Sequence, residues 1–218
     1  MIKYIHTQSE NIQHVFVVNE DQRDGNAEIY RTSLGTMKPF AEKILGLCVE
    51  NIMPDEYSHL PLIKLKACNF GPYSKTDFEY IHPHISKTMI IPESSVDVIL
   101  IERSFAPLYK GVTDTGCNRR CLRNHNEIKT KLEKKYGDRF RNVILEEMAI
   151  EEQIALFKHA KIVIGQHGAG LCNIVWMTRK HATVIEFPPF QSPTFSNMAN
   201  ALGIRHKRMD HRRFTGIF

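Results

Sequence analysis

The sequence predicts an α/β fold, a parallel sheet flanked by helices, and three observations carry that reading. Short apolar runs recur at Val96–Ile101, Val143–Leu145, Ile162–Ile164 and Ala182–Phe187, as expected of strands covered on both faces. Segments with helical apolar spacing lie between them, at 124–136 and 149–159. At Ile162–Asn173 an apolar run gives way to glycines and then to a second helix-like pattern, Leu171–Met177. Alternating strands and helices joined by right-handed crossovers make a parallel sheet.

Each element has its own signal. His14–Val18 reads as a first strand, ended by the polar turn Asn19–Asn26. The stretch Lys38–Val49 reads as a helix, with Phe40, Ile44, Leu45 and Cys48 at helical spacing. From Asn51 to Pro92 the chain is rich in Pro, Gly, Tyr and Ser, which marks a connector or a reduced domain. Pro92–Ser95 bounds the strand Val96–Ile101, and a basic loop, Arg103–Arg120, follows it. Asn124 or Asn126 is placed to start a helix that runs to about Tyr136. Val143–Leu145 is a short strand. Ala149–His159 is a helix with Ile150, Ile154 and Phe157 on one face. The expected organisation is a shortened region at 1–89 and a ligand-binding domain at 90–218.

The 218 residues are 42% hydrophobic and 24% charged with a net charge of +5, the balance of an ordinary globular chain. No apolar run approaches the roughly 18 residues of a membrane-spanning helix. Met1–Glu10 lacks an apolar stretch of signal length, so the expected location is cytoplasmic, with the secretory pathway expected only of a fragment of a longer chain. Five cysteines, Cys48, Cys68, Cys117, Cys121 and Cys172, at irregular spacing argue against a disulfide framework and fit a reducing compartment. Cys117, Cys121 and His125 have the residue types of zinc ligands, but a second pair at zinc-like spacing is missing. Basic residues concentrate in Ile101–Arg141, at a net +6, and in Arg205–Phe218, at +4. Such patches suit a diphosphate or an anionic acceptor. Nucleic-acid binding is a lesser reading, because aromatic residues are not interleaved with the basic ones.

The glycine turn concentrates the candidate chemistry. A strand that hands over to a helix through Gly165, Gly168 and Gly170 brings backbone N–H groups and a helix N-terminus to one point, a geometry that favours a phosphate. The competing explanation is a tight turn that needs positive φ. His167 within it could donate to a phosphate or act in acid–base chemistry, and Asn173 could pin the turn. Glu186, at the end of the next strand, is positioned for ribose hydroxyls. Arg103, Arg119 and Arg120 could pair with a diphosphate through their planar guanidinium forks. A base for an attacking hydroxyl is the least defined element, with Asp114, His125 and His167 as candidates. Asp21-Gln22-Arg23-Asp24 lacks the spacing of a D-x-D metal motif, so no metal and no cofactor are expected beyond a nucleotide substrate.

His167-Gly168-Ala169-Gly170-Leu171-x-Asn173, preceded by Glu152-Gln153-Ile154-x-Leu156-Phe157 and followed by Val184-Ile185-Glu186-x-x-Pro189, resembles the C-terminal half of glycosyltransferase family 61. Ile101-Glu102-Arg103 and Arg119-Arg120-x-x-x-Asn124-x-x-Glu127 resemble an upstream segment of that family in the same order. The resemblance spans roughly residues 90 to 210. It implies a Rossmann-like donor domain of a GT-B glycosyltransferase, here with a shortened N-terminal domain. It further implies inverting transfer of a sugar from a UDP-sugar to a carbohydrate or protein hydroxyl. The donor-binding residues it implies are Arg103, Arg120, Asn124, Gly165, His167, Gly168, Ala169, Gly170, Leu171, Asn173 and Glu186. Eukaryotic members of the family are typically secretory-pathway proteins, from which the amino-terminal sequence departs. The alternative reading is a nucleotide-sugar-binding module without catalysis of its own, completed by a partner chain or a second copy.

Overall fold

The computed structural model describes residues 75, 76, 78, 79, 82, 83, 94–104, 121, 122, 124–187 and 192–209, and the backbone of two further strands at 14–18 and 48–52. The chain divides into two compact units, residues 1–69 with 83–90, and residues 70–82 with 91–218.

In the first unit, β1 (His14–Val18) pairs in parallel with β2 (Cys48–Ile52). β1 falls where the sequence predicts it. The predicted helix Lys38–Val49 is corrected at its end, since Cys48 and Val49 begin β2; residues 38–47 lie outside the described residues.

The second unit is a five-stranded, all-parallel sheet. In chain order it comprises β3 (Val98–Glu102), α1 (His125–Tyr136), β4 (Phe140–Ile144), α2 (Ile150–His159), β5 (Ile162–Gln166), a 3-10 helix (Ala169–Trp176), β6 (Thr183–Phe187), α3 (Thr194–Leu202) and β7 (Arg205–Arg208). The spatial order is β4-β3-β5-β6-β7. The chain leaves β3 toward β4 on one side and leaves β5 toward β6 on the other. The gap between the carboxyl ends of β3 and β5 is therefore the topological switch point, where open parallel sheets hold their ligands.

Strand alternation sorts the core into two layers. Val98, Leu100, Ile164 and Phe187 join Leu122 and Phe140 in one buried cluster, covered by Ile128, Leu132 and Tyr136 of α1. On the other face Ile99, Val163 and Val184 are fully buried, as are Ile154 and Phe157 of α2 and Leu171 and Ile174 of the 3-10 helix. Each such side chain contributes about 1.5–3 kcal/mol of burial.

The ends of the helices follow simple chemistry. Glu152 in the first turn of α2 accepts the Ala149 N–H at 3.1 Å, and Lys134 and Lys135 sit at the negative end of the α1 dipole. α3 stops at Gly203, at φ +70°, with the Ile204 N–H returned to Ala199 at 3.0 Å.

Three local expectations change. β5 continues through Gly165 to Gln166, so the turn starts at His167 rather than Gly165. The segment after it is 3-10 rather than α. α3 falls where the sequence predicts no element, and β7, within the basic stretch Arg205–Phe218, extends the sheet; β7 reads Arg-His-Lys-Arg, and charge of this kind blunts an open sheet edge.

Cys121 is disulfide-bonded, which corrects the expectation of reduced thiols and removes Cys121 from a zinc set while the bond is intact. Cys172 is a free, exposed thiol. Among the described residues no helix is long and apolar enough to cross a membrane.

Candidate functional site at the carboxyl edge of the sheet

Gly165 lies opposite Glu186 in the β5–β6 register, so the side chains of Glu186 and His167 emerge on the α2 face, two residues apart along the carboxyl edge. His167 Nδ1 hydrogen-bonds Glu186 Oε1, and His206 Nε2 donates to Glu186 Oε2 at 2.8 Å. Glu186 is completely buried. Burial alone would push its carboxyl up, but hydrogen bonds from His206 and His167, together with their charges, bring it below the ordinary carboxylate value of 4.5. An ionised Glu186 accepts from Nδ1–H, and that fixes the His167 tautomer with Nε2 as the opposite ring nitrogen. Phe195 of α3 packs edge-on against the His167 ring, with centroids 5.0 Å apart. The imidazole is thereby held by three elements, β5, β6 and α3.

Arg103, just past β3, reaches across the switch point and donates from Nη2 to the His167 carbonyl at 3.1 Å. The Arg103 guanidinium therefore reaches the His167 backbone where the chain topology diverges. Gly168 has φ +151° and ψ −174°, a conformation essentially confined to glycine. Gly165 and Gly170 are glycine for a different reason. A Cβ on Gly165 would lie 3.0 Å from Ile101 Cδ1, and one on Gly170 would lie 3.2 Å from Leu145 Cδ1. Their missing side chains make room for the core.

The other predicted residues fall into distinct places. Glu186, expected on a ribose, has both oxygens engaged by imidazoles and no exposed surface; it positions His167. Leu171 is wholly buried in the core. Asn173 donates to the Gly170 carbonyl at 3.3 Å and accepts from Trp176 Nε1 at 3.0 Å, so it braces the 3-10 helix. Ala169 is exposed at the start of that helix. Asn124 is the N-cap of α1 but makes no side-chain cap bond. Asp114, Arg119 and Arg120 lie outside the described residues.

On the opposite face of the sheet is a second polar group. His125 Nε2 donates to Asn142 Oδ1 at 2.9 Å, and Asn142 Nδ2 donates to Glu102 at the end of β3. His125, considered above as a base or a metal ligand, is thus the buried end of a partly buried hydrogen-bonded chain. Among the described residues no group of three or more His, Cys, Asp and Glu is arranged to hold a metal ion.

Sequence reasoning missed His206 and Gln166. His206 had a legible signal, a lone imidazole in a basic strand after Gly203, but only the sheet order brings it to Glu186. Gln166 had none.

The family model of glycosyltransferase 61 matches residues 37–185. This chain belongs to the glycosyltransferase 61 family, in agreement with the α/β architecture and with the resemblance carried by His167–Asn173. Its substrates are accordingly a sugar donor and an acceptor. No curated protein gives a significant match.

Proposed function

We propose that the chain is an inverting glycosyltransferase that moves a sugar from a UDP-sugar to a carbohydrate or protein hydroxyl. Residues 90–218 serve as the donor domain of a GT-B architecture, and residues 1–89 belong to its acceptor side. The observation that carries this reading is the Arg103–His167–Glu186 constellation at the switch point, inside the family motif. Nucleotides bind at this position in doubly wound sheets, and the N–H groups that begin the 3-10 helix after Gly168 suit a diphosphate.

Attack of the acceptor oxygen on the anomeric carbon expels the nucleoside diphosphate, and negative charge grows on the leaving oxygen. Arg103 neutralises that charge, and His167, oriented through Nδ1 by Glu186, donates from Nε2 to the diphosphate when both ring nitrogens carry a proton. Glu186 acts through His167. The proton of the acceptor hydroxyl passes to a base outside this constellation, with Asp114 as the candidate retained from the sequence.

The test is release of UDP from a panel of UDP-sugars with glycan and glycoprotein acceptors. UDP release that depends on acceptor and falls in His167→Ala and Arg103→Ala supports transfer. Saturable donor binding with no turnover supports a binding module instead.

A further inference from the structure

Gln166 ends β5 on the sheet face opposite His167. It is 3% exposed, and among the described residues neither its Nε2 nor its Oε1 has a hydrogen-bond partner. An entire carboxamide buried in this way costs folding free energy at both atoms, and such a group in a native core calls for an explanation. Strand alternation fixes its neighbours. Gln166 is opposite Phe187 in the β5–β6 register. On the other side the β3–β5 register pairs Leu100 with Ile164, and two residues further along both strands Glu102 flanks Gln166. The contact between Ile101 and the Gly165 position shows that the two strands stay adjacent to that point. Gln166 therefore stands between an apolar ring and a carboxylate already held by Asn142 and His125. At the start of α1, which covers this face, Asn124 Oδ1 is likewise buried without a partner among the described residues.

The unmet requirement is one donor and one acceptor side by side, beside an apolar surface, at the switch point. A flat heterocycle with an N–H next to a carbonyl meets it. We infer that the Gln166 carboxamide recognises the uracil of the donor, with Oε1 accepting from the base N3–H and Nε2 donating to the adjacent carbonyl. This rests on the proposed donor site and extends it, since the diphosphate is assigned to the Arg103–His167 side and the base to the Gln166 side of the same carboxyl edge of the sheet. Glu102, half-buried beside Gln166, completes the polar wall.

The test is calorimetric titration of wild type and Gln166→Met with UDP, N3-methyl-UDP and inorganic pyrophosphate. Wild type is expected to bind UDP about tenfold more tightly than N3-methyl-UDP, the equivalent of one well-made hydrogen bond. Gln166→Met is expected to bind the two nucleotides alike and to keep its pyrophosphate affinity. Its melting temperature is expected to rise, because the orphaned carboxamide is gone. A Gln166→Met protein that still prefers UDP to N3-methyl-UDP overturns the inference and leaves the donor site standing. Wild type that binds pyrophosphate but gains nothing from the uridine also overturns it alone. Wild type that binds none of the three, shown folded by circular dichroism, overturns the donor-site reading and this inference together.

Discussion

Glu186 Oε2 accepts a 2.8 Å hydrogen bond from His206 Nε2 across the β6–β7 pair, so the outermost strand is tied to the carboxylate that orients His167. β7 is four residues long, and its side chains are mostly exposed. Its docking therefore depends less on apolar burial than on this buried polar link and the ladder with β6. The consequence is a coupling between the sheet edge and the candidate active site, which a strand read only as a basic tail would not have.

That coupling is measurable in stability. Glu186→Gln keeps the volume but presents an NH2 group to one of two imidazoles, and loss of a charged hydrogen bond is expected to cost about 1.5–3 kcal/mol in urea unfolding. In a double-mutant cycle with His206→Ala, the coupling energy is expected to reach at least about 0.5 kcal/mol. Additive effects of the two substitutions would show that the His206 link is energetically idle.

The direction of the pH dependence follows from the depressed Glu186 carboxyl. Its unfolded value is 4.5 and its folded value lies below that, so the unfolded chain takes up the proton first as pH falls. The stabilisation is fully present above pH 4.5 and is lost as pH drops through the folded value. Wild type should lose stability over that acid range more steeply than Glu186→Gln. Equal acid limbs for the two proteins would remove Glu186 from the account.

Gly168→Ala forces a Cβ into a backbone region of φ +151° and ψ −174°, at a cost of about 1–3 kcal/mol. It should also displace the turn that carries His167, so donor affinity should fall with stability. Full donor affinity in a folded Gly168→Ala protein would mean that the turn does not shape the site.

The cysteines are separable by chemistry. Cys172 should be alkylated under native conditions, whereas Cys121 should label only after reduction. Native labelling of Cys121 would contradict its disulfide.

Much of the sheet was legible in the sequence because its strands are buried on both faces and therefore write continuous apolar runs, as Val98–Ile101 and Ile162–Ile164 do. β7 was not, because an edge strand needs no such run and Arg205–Arg208 carries its charge outward. α3 was also missed, although Gly203 supplied its stop signal and Ser192-Pro193-Thr194 its start, where Ser192 Oγ accepts the Thr194 N–H at 3.4 Å. The motif His167–Asn173 is legible as the turn after β5, but residue type alone could not say which way each side chain faces. Glycines that suggest a phosphate cradle proved to be glycine for Ile101 and Leu145 at two of three positions. Glu186 pointed to a ribose by its place at a strand end, yet its register partner and β7 turn it onto two histidines. Gln166 was silent because an unsatisfied carboxamide is visible only when its surroundings are known.

The most direct test of the central claim is calorimetric titration of the folded protein with a panel of UDP-sugars, in wild type and in Arg103→Ala and His167→Ala. Wild type should bind at least one UDP-sugar saturably, and each variant should bind it about tenfold or more weakly, as expected for loss of a hydrogen bond to a charged group. Binding of no uridine nucleotide by folded wild type, or binding indifferent to both substitutions, would contradict that claim.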